Sequence, residues 1–200
     1  MVSEDLWNRT MNTSVIVPLY PREEIESQTV FFVPIDDLYA NCTLVQSIDD
    51  DDLGVDLSCC DDAAMRAVEE GLRSYLDIDD LKEQKIRRPP GVGRGDFWPR
   101  QRDVLWGTRY GQQRERYVAM PSDEMNVRAD STAMLFMTSR DKAWRSRWQV
   151  PREGGFVISG DIDQFRYSEL VDDSRPAPPT LSRSEMAEVA SAVANVLNLG

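Results

Sequence analysis

The sequence predicts a mainly β fold: a single β-barrel or jelly-roll-like sandwich with one inserted helix, a long basic loop and a C-terminal helical arm. Three observations carry that expectation. Most apolar runs are short, alternate with polar residues at a period of two, and end in proline or aspartate clusters, as half-buried strands do. Two segments break that cadence with apolar residues spaced three and four apart, the period of a helix. The 200 residues are enough to bury one proper core.

Taken in order, Thr13–Tyr20, Thr29–Ile35 and Asn41–Ile48 read as strands. Pro18 and Pro34 lack a backbone donor and suit strand ends or edges. The inserted helix is expected over about 59–76, opened by the capping-box-like Ser58–Asp61 and carrying Met65, Val68, Leu72 and Tyr75 on one stripe. Residues 82–113 read as the long basic loop. Arg114–Met120 and Met134–Thr138 read as strands, and Trp144, Trp148 and Val150 alternate with Arg145, Arg147 and Gln149. Gly155–Ser159 and Gln164–Ser168 read as two further strands separated by a Gly160–Asp161 turn. These elements form a β-barrel domain over 1–171. A Pro-rich spacer and helix form an arm over 172–200, with Ser182–Glu185 a capping box leading into Met186, Val189, Val193 and Leu197.

Charge excludes more than it identifies. Twenty arginines and three lysines stand against thirty-five carboxylates, with no histidine and a net charge of -12. Strong acidity and arginine in place of lysine suit a protein that works in concentrated salt; a GC-rich genome accounts for the same bias. Without histidine, a Ser-His-Asp triad, a His-ligated zinc site and a His proton shuttle are impossible. Two paired carboxylates could still catalyse, but so many acids single out no pair, and the expectation is no enzymatic activity and no cofactor. Cys42, Cys59 and Cys60 do not make a disulfide framework, so reduced thiols and a reducing compartment are expected. The acidic N-terminus lacks an apolar signal core, and no apolar run reaches the length of a membrane span.

Charge is also segregated. Residues 1–80 carry a net -15, residues 81–150 a net +7 and residues 151–200 a net -4. Asp49 and Asp51 with Gly54 fall at the first, third and sixth places of a calcium loop. Leu53 and Cys60 occupy later ligand places, which leaves only weak cation candidates at Asp49 and Asp51. The strongest local signal is Lys82–Tyr117, with ten bases against four acids and Phe97, Trp98, Trp106, Tyr110 and Tyr117 interleaved. Arginine beside aromatics serves protein–protein hot spots and single-stranded nucleic acid equally well. The acidic front of an identical neighbour is the economical partner for that segment. The expected interface therefore comprises Arg87, Arg88, Arg94, Trp98, Arg100, Arg102, Trp106 and Arg109, with Met186, Val189, Val193 and Leu197 of the arm.

In composition and cadence, through runs such as Thr29–Ile35 and Trp144–Val150, the chain is similar to the single jelly-roll capsid proteins of icosahedral, membrane-containing viruses of haloarchaea. The resemblance implies a virion building block made in the host cytoplasm. Such a subunit self-assembles with copies of itself and a related sister subunit, apposed to an internal viral membrane, with nucleic acid not expected as a partner. The alternatives are a neck, tail or baseplate component of a tailed virus, and a carboxylate-dependent enzyme or nucleic-acid-binding module.

Overall fold

The computed structural model describes residues 2–24, 31–54, 60–78, 99–108, 115–142, 148–170 and 180–199. The fold is mainly β, with ten strands and four α-helices among these residues. Its centre is a five-stranded antiparallel sheet in the order β6 (Val104–Gly107), β7 (Glu115–Ala119), β8 (Ser131–Thr138), β10 (Gly155–Arg166), β9 (Gln149–Arg152). A three-stranded sheet joins β2 (Leu19–Pro21), β4 (Leu38–Asn41) and β3 (Phe32–Ile35), and a two-stranded ribbon joins β1 (Thr13–Ile16) to β5 (Gln46–Asp49). The mainly β, barrel-like expectation holds, and the strands divide into sheets of five, three and two.

Several local expectations are corrected by the same architecture. Proline fixes φ and cannot donate, and the run around Pro18 breaks there into β1 and β2. Asn41–Ile48 begins as the end of β4, passes through a 3-10 turn at Cys42–Leu44 capped by the Asn41 side chain, and resumes as β5. The expected loop at 82–113 contains β6. Helix α1 (Asp5–Met11), helix α3 (Asp123–Asn126) and β4 were not expected at all.

The expected Gly160–Asp161 turn is instead a bulge inside one twelve-residue strand, β10. A Cβ on Gly160 would lie 2.5 Å from the Trp7 ring, so the indole of α1 demands glycine there. The Ser47 hydroxyl donates to the Gly160 carbonyl and accepts from the Ile162 N–H, both at 2.7 Å, and so restores the bonds the bulge removes from the ladder.

Helix α2 (Asp62–Leu76) starts at Asp61, whose carboxylate accepts the Ala64 N–H at 2.7 Å; Ser58 lies outside the described residues. Helix α4 (Arg183–Val196) starts with the expected reciprocal box between Ser182 and Glu185. Its stripe does not form an arm. Met186, Val189, Val193 and Leu197 are at most 1% exposed and share one core with Val118, Leu135, Met137, Val157 and Ile162 of the sheet and Leu72 and Leu76 of α2. Arg152 of β9 clasps α4 from outside, donating to the Glu185 carbonyl at 2.7 Å and pairing with Glu188 at 2.9 Å. Among the described residues no helix is long and apolar enough to cross a membrane.

Candidate nucleic-acid interface

The chemistry-bearing side chains gather at one end of the five-stranded sheet, where β6 and β8 end and β7 begins. Arg116 is paired across the ladders with Trp106 on one side and Met137 on the other, so indole, guanidinium and thioether stand side by side on one face. Phe136 and Thr138 alternate onto the opposite face, as strand geometry requires. Beyond Thr138 the chain leaves the sheet through Ser139, Arg140 and Lys142. Together with Glu115, these residues line an open groove of about 540 Å³.

The rim is braced from several directions. Phe136 packs on Tyr117 with ring centroids 5.7 Å apart, and Tyr117 in turn packs on Phe165 at 4.5 Å. The Thr138 hydroxyl accepts the Arg140 N–H at 3.1 Å, a local turn that starts the exit from β8. Gln149, nearly buried on β9, donates to the Arg140 carbonyl at 3.2 Å and accepts the Lys142 N–H at 3.3 Å, so one amide holds both ends of the basic segment. Arg116 donates to the Gly154 carbonyl at 2.6 Å. Among the described residues neither Arg116 nor Arg140 has a carboxylate partner. Among the described residues the groove thus carries three cations against the single carboxylate of Glu115. In a chain of net charge -12, guanidinium groups without an ion pair beside half-buried aromatic rings suit an anion with a flat, apolar part.

Part of this site is legible in the sequence. Trp106 was expected at an interface and does line the groove, and Arg116 was counted in the basic segment. Arg100 is exposed, and Arg102 has a left-handed φ of 75° just before β6; neither lines the groove. Arg87, Arg88, Arg94, Trp98 and Arg109 lie outside the described residues. Glu115, Phe136, Thr138, Ser139, Arg140 and Lys142 were not singled out. The available signal was a hydroxyl pair and two cations following directly on the apolar run of β8. Asp49 and Asp51 are exposed around a single 3-10 turn, where Asp50 accepts a bond from Ser14 at 2.7 Å. Among the described residues no cluster of three potential metal ligands occurs. Of the cysteines, Cys42 is buried, with burial pushing its thiol up to about 12, and Cys60 is exposed.

No family model matches the chain, and no curated protein matches its sequence. Solved structures do align with it. An endoribonuclease in complex with its cognate antitoxin, from a mycobacterial species, aligns at 16% identity and a TM-score of 0.44, covering 51% of this chain and 97% of its own. MazF from Deinococcus radiodurans aligns at 18% identity and 0.42, covering 52% and 99%, and a MazE–MazF structure from the same organism aligns at 16% and 0.43, covering 52% and 100%. These neighbours are endoribonucleases and not viral capsid jelly rolls. The capsid resemblance is corrected accordingly, and with it the virion location, the sister capsid subunit and the expectation that the chain has no enzymatic activity. Acidity and β cadence are shared by many folds and are no signature of one family.

Proposed function

We propose that the chain binds single-stranded RNA in the groove at the end of β6, β7 and β8 and cleaves its phosphodiester backbone. The carrying observation is the convergence of Arg116, Arg140 and Lys142 with Trp106 and Phe136 in one open groove. Cations neutralise phosphates along a strand, and aromatic faces accept bases of any identity once these are unstacked from a duplex.

The groove holds the groups such a cleavage needs. In RNA the 2′-hydroxyl next to the scissile phosphate can attack phosphorus, leaving a 2′,3′-cyclic phosphate on one fragment and a 5′-hydroxyl on the other. Negative charge grows on the phosphoryl oxygens in the transition state, and a guanidinium fixed nearby stabilises it by electrostatics and hydrogen bonding. Arg116 takes this role, with Arg140 and Lys142 binding flanking phosphates. Glu115, the groove's one carboxylate among the described residues, accepts the 2′-hydroxyl proton, and water protonates the departing 5′-oxygen. The hydroxyls of Thr138 and Ser139 hydrogen-bond the non-bridging oxygens.

The test is incubation of the protein with end-labelled single-stranded RNA and its DNA counterpart at low salt. RNA is expected to be cut to fragments with cyclic phosphate ends, while DNA, lacking the attacking hydroxyl, is bound and left whole. Arg116→Ala should slow cutting by about 100- to 1,000-fold, the cost of removing one transition-state donor. Intact RNA with no detectable binding at low salt would refute the proposal.

A further inference from the structure

The hairpin between β9 and β10 touches the groove from behind. It turns through Glu153 and Gly154, with Gly155 opening β10, and Gly154 adopts a left-handed φ of 79° that glycine reaches at no steric cost. A Cβ at Gly154 would stand 2.8 Å from Arg116 Nη1, and one at Gly155 would stand 2.3 Å from the Thr138 carbonyl oxygen. Gly154 is held to glycine by its left-handed φ and Gly155 by the backbone of β8, while the movable tip of Arg116 would have to shift for a Cβ at Gly154. The first position meets the side chain of Arg116 on β7, and the second meets the backbone of Thr138 on β8.

The bond between Arg116 and the Gly154 carbonyl has a consequence for binding. A carboxylate in that place would fix the guanidinium but neutralise it and compete with phosphate. A neutral carbonyl occupies one nitrogen, keeps the full charge, and leaves the rest of the fork for an incoming oxygen. An unrestrained arginine would have to be ordered when substrate arrives; here one hydrogen bond supplies part of that ordering beforehand.

We infer that the Glu153–Gly154 turn is a positioning element for Arg116, setting the guanidinium where charge develops on the phosphate. This rests on the RNA reading of the groove. The turn touches no substrate itself and acts through the arginine.

Gly154→Asn isolates the effect, because asparagine tolerates a left-handed φ while its Cβ still crowds the guanidinium. With single-stranded RNA, Gly154→Asn is expected to lower kcat about 10- to 100-fold with KM nearly unchanged, as a displacement of about 1 Å does. Added to Arg116→Ala, the same change should alter the rate by less than about 2-fold, since the two act as one unit. A second arm needs no substrate: slow rotation of the Arg116 guanidinium, read by 15N NMR, is expected in the wild type and lost in Gly154→Asn. Rate losses that add across the two backgrounds, or a freely rotating Arg116 in a protein that cuts RNA, overturn the positioning role alone. A rigid Arg116 in a protein that neither binds nor cuts RNA overturns the RNA reading, and the positioning role with it.

Discussion

At the residue scale, two side chains show how far local sequence reaches. Ser47 looks like any strand serine, yet its hydroxyl mends the ladder of β10 at a position more than a hundred residues away. Ser47→Ala leaves the Gly160 carbonyl and the Ile162 N–H without their partner in the core. The expected loss is about 1–3 kcal/mol in urea denaturation, the range for burying an unsatisfied polar group. An unchanged midpoint would mean that the strand closes the gap without it. The bulge was misread as a turn for the same reason: glycine followed by aspartate signals a turn locally, and only contact with Trp7 and Ser47 makes it a bulge. Arg116 is the converse case. Its charge is legible, but its lack of an ion pair among the described residues depends on which residues the ladders set beside it.

At the scale of elements, period and capping chemistry were most legible where they agreed. Helix α4 begins at its box and buries its stripe, and β7 and β8 fall within or around their apolar runs. What the stripe packs against was not legible, because an amphipathic face suits its own sheet or a neighbour's equally well. Ser182→Ala should cost about 1 kcal/mol, read as a lowered urea midpoint. The segment entering α4 is also tied to β6. Thr180 donates to the Asp103 carboxylate at 3.2 Å, Arg100 N–H donates to it at 2.9 Å, and Leu181 N–H reaches the Arg102 carbonyl at 3.0 Å. Burial raises the Asp103 pKa above its ordinary 3.8, outweighing these bonds and the nearby Arg100 charge. The folded state then holds the proton more tightly than the unfolded chain does. The contribution of Asp103 to stability is therefore full below pH 3.8 and declines as pH rises through the raised value. Asp103→Asn should flatten that part of a stability–pH curve. A curve of identical slope in the variant would show that Asp103 does not titrate in this way.

At the scale of the whole molecule, charge segregation has two measurable consequences. The acidic excess repels itself most strongly at low salt, so the melting temperature is expected to rise between about 0.1 and 2 M salt. A melt unchanged between about 0.1 and 2 M would favour a GC-rich genome as the source of the composition. Three groove cations also predict that log affinity for single-stranded RNA falls with log salt at a slope of about -2, and that Arg140→Ala makes it shallower by about 0.7. Composition revealed the existence of a basic, aromatic middle region. It could not reveal that cations from β7 and from the segment after β8 meet at one sheet end, because that meeting is set by strand order and register. The most direct measurement is photocrosslinking of the protein to single-stranded RNA carrying 5-iodouridine, followed by sequencing of the modified peptides. Attachment at Trp106 or Phe136, lost when Arg116 and Arg140 are both changed to alanine, is the predicted result. Attachment confined to peptides outside the groove, unaffected by those changes, would contradict the account.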